Sequence, residues 1–198
     1  RKVLGAEHPD TLSSMNNLAT NLYNQGNFGG ARNIQVQVLK ISRKVLGTEH
    51  PSTLTTMNNL ASILSDQGDY EGARELQEKV LDIRRKVLGA EHPDTLTTMN
   101  NLASILSDQR DYEGARKLQM QVLEISLKVF GAEHPTTSMS AWNLFITLLN
   151  MNEIDVANDI TEKHLLWLID IDPTHLAVEQ QVLREMVIKF IGRKNVPS

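Results

Sequence analysis

The spacing of apolar residues predicts that this chain is built from paired helices. After Pro51, apolar side chains recur three or four residues apart, as on one face of a helix: Leu54, Met57, Leu60, Ala61 and Leu64. The same spacing resumes after Asp69, at Tyr70, Ala73, Leu76, Val80, Ile83 and Val87. Pro51 suits a first helical turn, Asp69 suits an N-cap, and Gly68 and Gly89 suit helix ends, with Gly68 in the left-handed conformation. We therefore predict a helical hairpin.

This hairpin recurs with a period of 42 residues. Residues 43–84 and 85–126 are identical at 34 of 42 positions, residues 1–42 are a looser copy, and residues 127–172 are a divergent one. Such a period is typical of a solenoid, in which each unit buries its apolar face against its neighbours. The pattern predicts an all-α solenoid of helical hairpins.

The repeat register divides the sequence into seven segments. They are 1–5, the end of a truncated preceding helix; 6–47, 48–89 and 90–131, the first three repeats; 132–172, a divergent fourth repeat; 173–192, a C-terminal capping helix; and 193–198, a tail.

The repeated residues resemble a known family. Asn59–Ala61, Leu64, Gly68, Tyr70 and Ala73 match the pattern of the tetratricopeptide repeat. The longer pattern LG-x-EHP-x-T with M-N-N-L-A resembles the 42-residue repeats of kinesin light chains and nephrocystin-3-like proteins, and of arrays in fungal and bacterial signalling ATPases. The resemblance covers residues 1–135 closely and 136–172 loosely. It implies a right-handed solenoid that binds protein or peptide on a concave face lined by the first helix of each repeat.

A stripe of polar residues lies opposite the predicted core of each first helix. It comprises Thr55, Asn58, Asn59, Ser62, Ser65 and Asp66 in repeat two; Thr97, Asn100, Asn101, Ser104, Ser107 and Asp108 in repeat three; and Ser13, Asn16, Asn17, Thr20 and Tyr23 in repeat one. Stacked asparagine amides both donate and accept, so they match the main chain of an extended peptide. The resemblance gives the same function to Asn16, Asn58 and Asn100. The alternative interpretation is a solvated surface, or hydrogen bonds between repeats.

The charge of this stripe bears on the ligand. It contains no lysine or arginine to clamp a carboxylate, whereas Asp66 and Asp108 are acidic. We therefore expect the partner to be an extended peptide that is neutral or basic.

The fourth repeat replaces the polar stripe with Met139, Trp142, Ile146 and Leu149. An exposed apolar stripe needs a cover, and a last helix from about Pro173 to Ile191 is the nearest one. One face of that helix carries Leu176, Leu183, Val187 and Phe190. A second apolar face carries Val178, Val182 and Met186, so the alternative is pairing with another protein or a second copy.

Composition narrows the function further. The net charge is −4 with no basic tract, which excludes nucleic acid and anionic membrane as expected partners. The chain has no cysteine, no N-x-[ST] sequon and no long apolar run, which favours a cytoplasmic protein.

One histidine recurs in each repeat: His8, His50, His92 and His134. Equivalent positions of stacked helices lie roughly 8–10 Å apart, too far to share a metal whose ligands lie about 2 Å away.

We therefore expect no enzymatic activity, cofactor or metal, and a protein-interaction scaffold is the leading hypothesis. The alternatives are a regulatory or sensor array within a larger signalling ATPase, and self-association through the last helix.

Overall fold

The computed structural model describes residue 5 and residues 7–194. The helix end expected at 1–5 and the tail expected at 193–198 lie mostly outside the described residues.

The described residues form α-helices joined by short turns, without a strand. The first helices are α1 (Pro9–Asn24), α3 (Pro51–Asp66), α5 (Pro93–Asp108) and α7 (Pro135–Asn150). The second helices are α2 (Phe28–Val45), α4 (Tyr70–Val87), α6 (Tyr112–Phe130) and α8 (Ile154–His164), and α9 (Trp167–Asp170) and α10 (Val178–Lys194) follow. This confirms the predicted all-α succession of helical hairpins. Among the helices described, none is long and apolar enough to cross a membrane.

Contacts divide the chain into two compact units, Arg1–Gln109 and Arg110–Ser198. In the first unit, α2 packs on α1 and α3, and α4 packs on α3 and α5. In the second unit, α7 packs on α6 and α8, and α10 packs on α7 and α9. Within the units, α2, α3, α4 and α7 thus contact both of their neighbours in the chain, as expected of a repeat array.

Each first helix begins with a histidine N-cap followed by proline. Nδ1 of His8, His50, His92 and His134 accepts a hydrogen bond from the backbone N–H two residues later, at 3.1–3.2 Å. A threonine closes the same turn, because Thr53 Oγ1 donates to the Gly47 carbonyl at 2.8 Å and its equivalents do likewise. The recurring EHP-x-T motif therefore builds the turn between repeats.

The core of the second hairpin agrees with the apolar spacing except at one end. The five positions predicted for α3 are buried, together with Ile63. Burial in α4 runs through Ala73, Gln77, Val80, Leu81 and Arg84. The expectation for Val87 was wrong: this last residue of α4 is 53% exposed, and its equivalents Val45 and Val129 are exposed too. The second helices therefore extend beyond their packed region.

The turn inside each hairpin requires a left-handed residue. Gly26 and Gly68 take φ values of 77° and 80°, which confirms the prediction for Gly68. Arg110 and Asn152 occupy the same position of the next repeats, with φ values of 64° and 61°. The turn geometry is therefore kept where glycine is lost.

The fourth repeat departs most from the sequence expectation. Its second helix stops at His164, and the last helix begins at Val178 rather than near Pro173. The delay has a local cause: Asp172 Oδ1 accepts from Thr174 N–H at 2.9 Å and caps a short 3-10 helix over Pro173–His175. Leu176 is then extended, so the α-helix restarts after it.

Candidate functional site

The predicted polar stripe of repeats one to three lies wholly in the first unit. Its outermost members, which are exposed, are Ser13, Asn17, Thr20, Thr55, Ser62, Asp66, Thr97, Ser104 and Asp108. Its half-buried members are Asn16, Tyr23, Asn58, Asn59, Ser65, Asn100, Asn101 and Ser107. We call the surface formed by these residues of α1, α3 and α5 the first-helix face.

Two hydrogen bonds join neighbouring helices across this face. The Tyr23 hydroxyl donates to Asp66 Oδ2 at 2.5 Å, from α1 to α3. The Ser65 hydroxyl donates to Asp108 Oδ2 at 3.3 Å, from α3 to α5. The hydrogen bond to Asp66, reinforced by burial, raises the pKa of the Tyr23 phenol above its ordinary value. Both carboxylates are thus held at successive positions along the face.

Several hydroxyls of the face bond to their own helix instead. Thr20 donates to the Asn16 carbonyl at 3.1 Å, and Ser62 donates to the Asn58 carbonyl at 3.3 Å. Thr97 donates to the Pro93 carbonyl at 3.0 Å. These hydroxyls keep an acceptor lone pair for a ligand, but their proton is already engaged.

Two adjoining cavities lie between the first helices. The first, of about 200 Å³, is lined by Ala19, Thr20, Tyr23, Asn24, Gln35, Asn59, Ser62 and Ile63. The second, of about 190 Å³, is lined by Tyr23, Ser62, Ser65, Asp66, Gln77, Asn101, Ser104, Ile105 and Asp108. Most of the second set are the repeat equivalents of the first. One 42-residue step thus produces the same cavity twice, with Tyr23 and Ser62 shared between them.

The two asparagines of each pair are placed differently. Asn59 and Asn101 line the cavities. The Oδ1 atoms of Asn16, Asn58 and Asn100 are buried and have no hydrogen-bond partner among the described residues. Asn59 and Asn101 are therefore the asparagines of the stripe that are accessible from the cavities.

Each cavity also has a glutamine from a second helix, which the sequence analysis missed. Gln35 is 1% exposed and Gln77 is fully buried. Neither Gln35 Oε1 nor either amide atom of Gln77 has a hydrogen-bond partner within the described structure. A signal was present in the sequence: Gln35, Gln77 and Gln119 recur at one register on a buried apolar stripe.

The apolar stripe of repeat four lies in the second unit and is only partly covered. Trp142 stacks on Phe145 with ring centroids 4.9 Å apart, and Phe145 meets Phe190 of α10 edge-on at 4.7 Å. Trp142 and Leu149 pack against the buried cluster, whereas Met139 and Ile146 are 37% and 40% exposed.

The α10 helix separates its two predicted apolar faces. Leu183 and Val187 are buried and Phe190 packs beside them, so this face packs on the core of the second unit. The Gln180 side chain anchors the start of the helix by donating to the Glu133 carbonyl at 2.8 Å. The opposite face stays exposed, with Val178 at 72% and Val182 at 52%.

The helical hairpins, the 42-residue register and the sequence together identify the class of protein. The family model of the tetratricopeptide repeat matches residues 10–86, 52–127 and 94–165, and the chain belongs to that family. Among curated proteins, no sequence relative matches it.

Solved structures place it close to kinesin light chain-like arrays. It is similar to a putative kinesin light chain with nearly identical TPR-like repeats from Podosopora anserina, at 27% identity and a TM-score of 0.75, over 95% of this chain and 90% of that chain. A single-residue variant of that protein is similar at 25% identity and a TM-score of 0.76, over 97% and 91%. BtubC from P. vanneervenii, at 18% identity and a TM-score of 0.72 over 96% and 68%, shares the fold.

Proposed function

We propose that this chain is a non-catalytic interaction scaffold that binds an extended, neutral or basic peptide segment on its first-helix face. The observation that carries the proposal is the pair of adjoining cavities between α1, α3 and α5, each with an asparagine of the polar stripe in its lining. A main chain lying across them meets amides that both donate and accept hydrogen bonds.

Charge supports the same choice of ligand. Asp66 and Asp108 face the second cavity, and no lysine or arginine lines either cavity. An acidic peptide would bring like charges together at this surface, which is unfavourable. A neutral or basic segment avoids that cost.

The test is capture of random nonapeptides, acetylated and amidated at their ends, by the immobilised chain. We expect the wild type to enrich a set of sequences and Asn59→Ala with Asn101→Ala to lose most of the captured peptide. Asn33→Ala is the matched control, because Asn33 is exposed on the second helix α2. Equal capture by the double variant and the control would refute the asparagine contacts.

A second candidate function is self-association through α10. Val178, Val182 and Met186 form an exposed apolar row along this helix, beyond what covering α7 requires. Sedimentation velocity over a wide range of concentration tests it. Val182→Glu should abolish any dimer, and a wild type that stays monomeric at every concentration would remove this candidate.

A further inference from the structure

The second cavity combines two carboxylates with a buried amide that lacks partners. Asp66 and Asp108 come from successive first helices and are exposed at its rim. Neither takes part in a salt bridge with any residue that the structure describes; their bonds are those from Tyr23 and Ser65. Both carboxylates are therefore exposed to solvent and have no cationic partner among the described residues.

Gln77, from the second helix α4, lines the same cavity as these carboxylates. It is fully buried, and both its amide nitrogen and its oxygen lack a partner among the described residues. A buried amide without partners is costly, and such groups are rare in folded proteins. Folding alone gives no reason to keep glutamine here, since a methionine of similar length would fill the space without that cost.

The first cavity provides an internal comparison. It has the same repeat-equivalent lining, but Asn24 stands where the second cavity has Asp66, and none of its lining residues is charged. The two cavities thus have similar volumes and equivalent glutamines, Gln35 and Gln77, and differ in the charge of their lining.

We propose that the second cavity is a specificity subsite for the cationic side chain of a lysine or arginine, and that the first cavity takes a neutral residue of the same peptide. This inference rests on the peptide-binding function proposed above. The ammonium or guanidinium group forms charge-assisted hydrogen bonds with one of the two carboxylates, Asp66 or Asp108, and the charge of the other favours the same cation. The Gln77 oxygen adds a further acceptor at the floor once its amide turns towards the ligand.

The repeat geometry also sets a register for the ligand. Neighbouring helices pack roughly 10 Å apart. A peptide in the extended polyproline II conformation rises about 3.1 Å per residue with three residues per turn, so side chains three residues apart share one face. Equivalent subsites are therefore about three residues apart along the peptide. A preferred sequence should carry its basic residue about three positions from the neutral residue in the first cavity.

The experiment uses the same random nonapeptide library and sequences the captured peptides. We expect the wild type to enrich lysine or arginine over glutamine at one position, by roughly two- to fivefold for an ion pair at an exposed rim. Asp66→Asn with Asp108→Asn should lose this preference and still capture peptides. Asp82→Asn with Glu124→Gln, which removes exposed carboxylates on α4 and α6, is the control for the same change of two in net charge.

Two further variants are expected to gain a property, a second basic position or a higher unfolding temperature, so a loss of folding cannot produce the expected result. Asn24→Asp places a carboxylate in the first cavity and should create a second basic position about three residues from the first. Gln77→Met removes the unpartnered amide, so it should raise the unfolding temperature while weakening the basic preference. An unchanged preference in Gln77→Met would overturn the role of Gln77.

The outcomes separate a failure of the specificity subsite from a failure of peptide binding. If the wild type captures peptides without any basic preference, or if the Asp66 and Asp108 double variant keeps that preference, the specificity subsite is refuted and peptide binding stands. If the wild type captures no peptide at all, the proposed function and the subsite both fail.

Discussion

Replacing Arg110 by glycine should stabilise the protein, although most substitutions destabilise. Arg110 has a φ of 64° at the turn where the first two repeats have Gly26 and Gly68. A left-handed conformation costs a residue with a Cβ about 1–2 kcal/mol. Glycine removes that strain but makes the unfolded chain more flexible, which offsets about 0.4–1 kcal/mol. The net gain should be about 0.5–1 kcal/mol.

Thermal and urea unfolding followed by circular dichroism measure this gain. For a chain of this length, 1 kcal/mol corresponds to about 2–4 °C in the unfolding temperature. Gly68→Arg should lose a similar amount. Arg110→Ala removes the same charge but keeps the Cβ, so it should show no gain. If Arg110→Gly is no more stable than the wild type, or if Arg110→Ala gains as much, backbone strain at this turn is not the cause.

Four further predictions follow from the structure. His92→Ala should cost about 1 kcal/mol in urea unfolding because the Asp94 N–H loses its acceptor, whereas His92→Asn should retain the cap. Leu183→Ala should cost about 2–5 kcal/mol because this side chain is 2% exposed, whereas Val178→Ala on the open side of α10 should change the free energy of unfolding little. Burial, aided by the charge of Lys163, lowers the pKa of His164 in the folded protein. As the pH falls below about 6.5, this histidine therefore binds a proton in the unfolded chain before it does in the folded one, and the free energy of unfolding should drop between pH 7 and 5. The drop should be smaller in His164→Gln. The variant Tyr70→Phe with Tyr112→Phe leaves Tyr23 as the one tyrosine, and its ultraviolet titration should give a pKa above about 10. Adding Asp66→Asn should lower the pKa of Tyr23, because the hydrogen bond to Asp66 is the main cause of the rise.

Much of the fold could be predicted from the sequence because the determinants are local and repeated. Pro51, Asp69 and Gly68 mark helix ends by their own backbone chemistry, and the apolar spacing between them marks the faces that pack. The structure agrees at these positions. Prediction from apolar spacing fails after the divergent fourth repeat. That spacing does not show that Asp172 caps a 3-10 helix, which delays the start of α10 to Val178.

The candidate site was predictable only in outline. The polar stripe follows from helical spacing, but the contacts within it depend on which side chains meet between repeats. The Tyr23–Asp66 bond joins residues 43 positions apart, and no periodicity predicts it. Gln77 was missed for a different reason: spacing arguments count apolar residues, so a polar residue on a buried stripe looks like an interruption rather than a cavity floor.

Photo-crosslinking of a captured nonapeptide tests the central claim most directly. A benzophenone side chain placed at successive positions of the peptide should label residues of α1, α3 and α5 on the first-helix face, in an order that follows the peptide sequence. Labels concentrated on α2, α4 or the exposed face of α10 would contradict binding on the first-helix face.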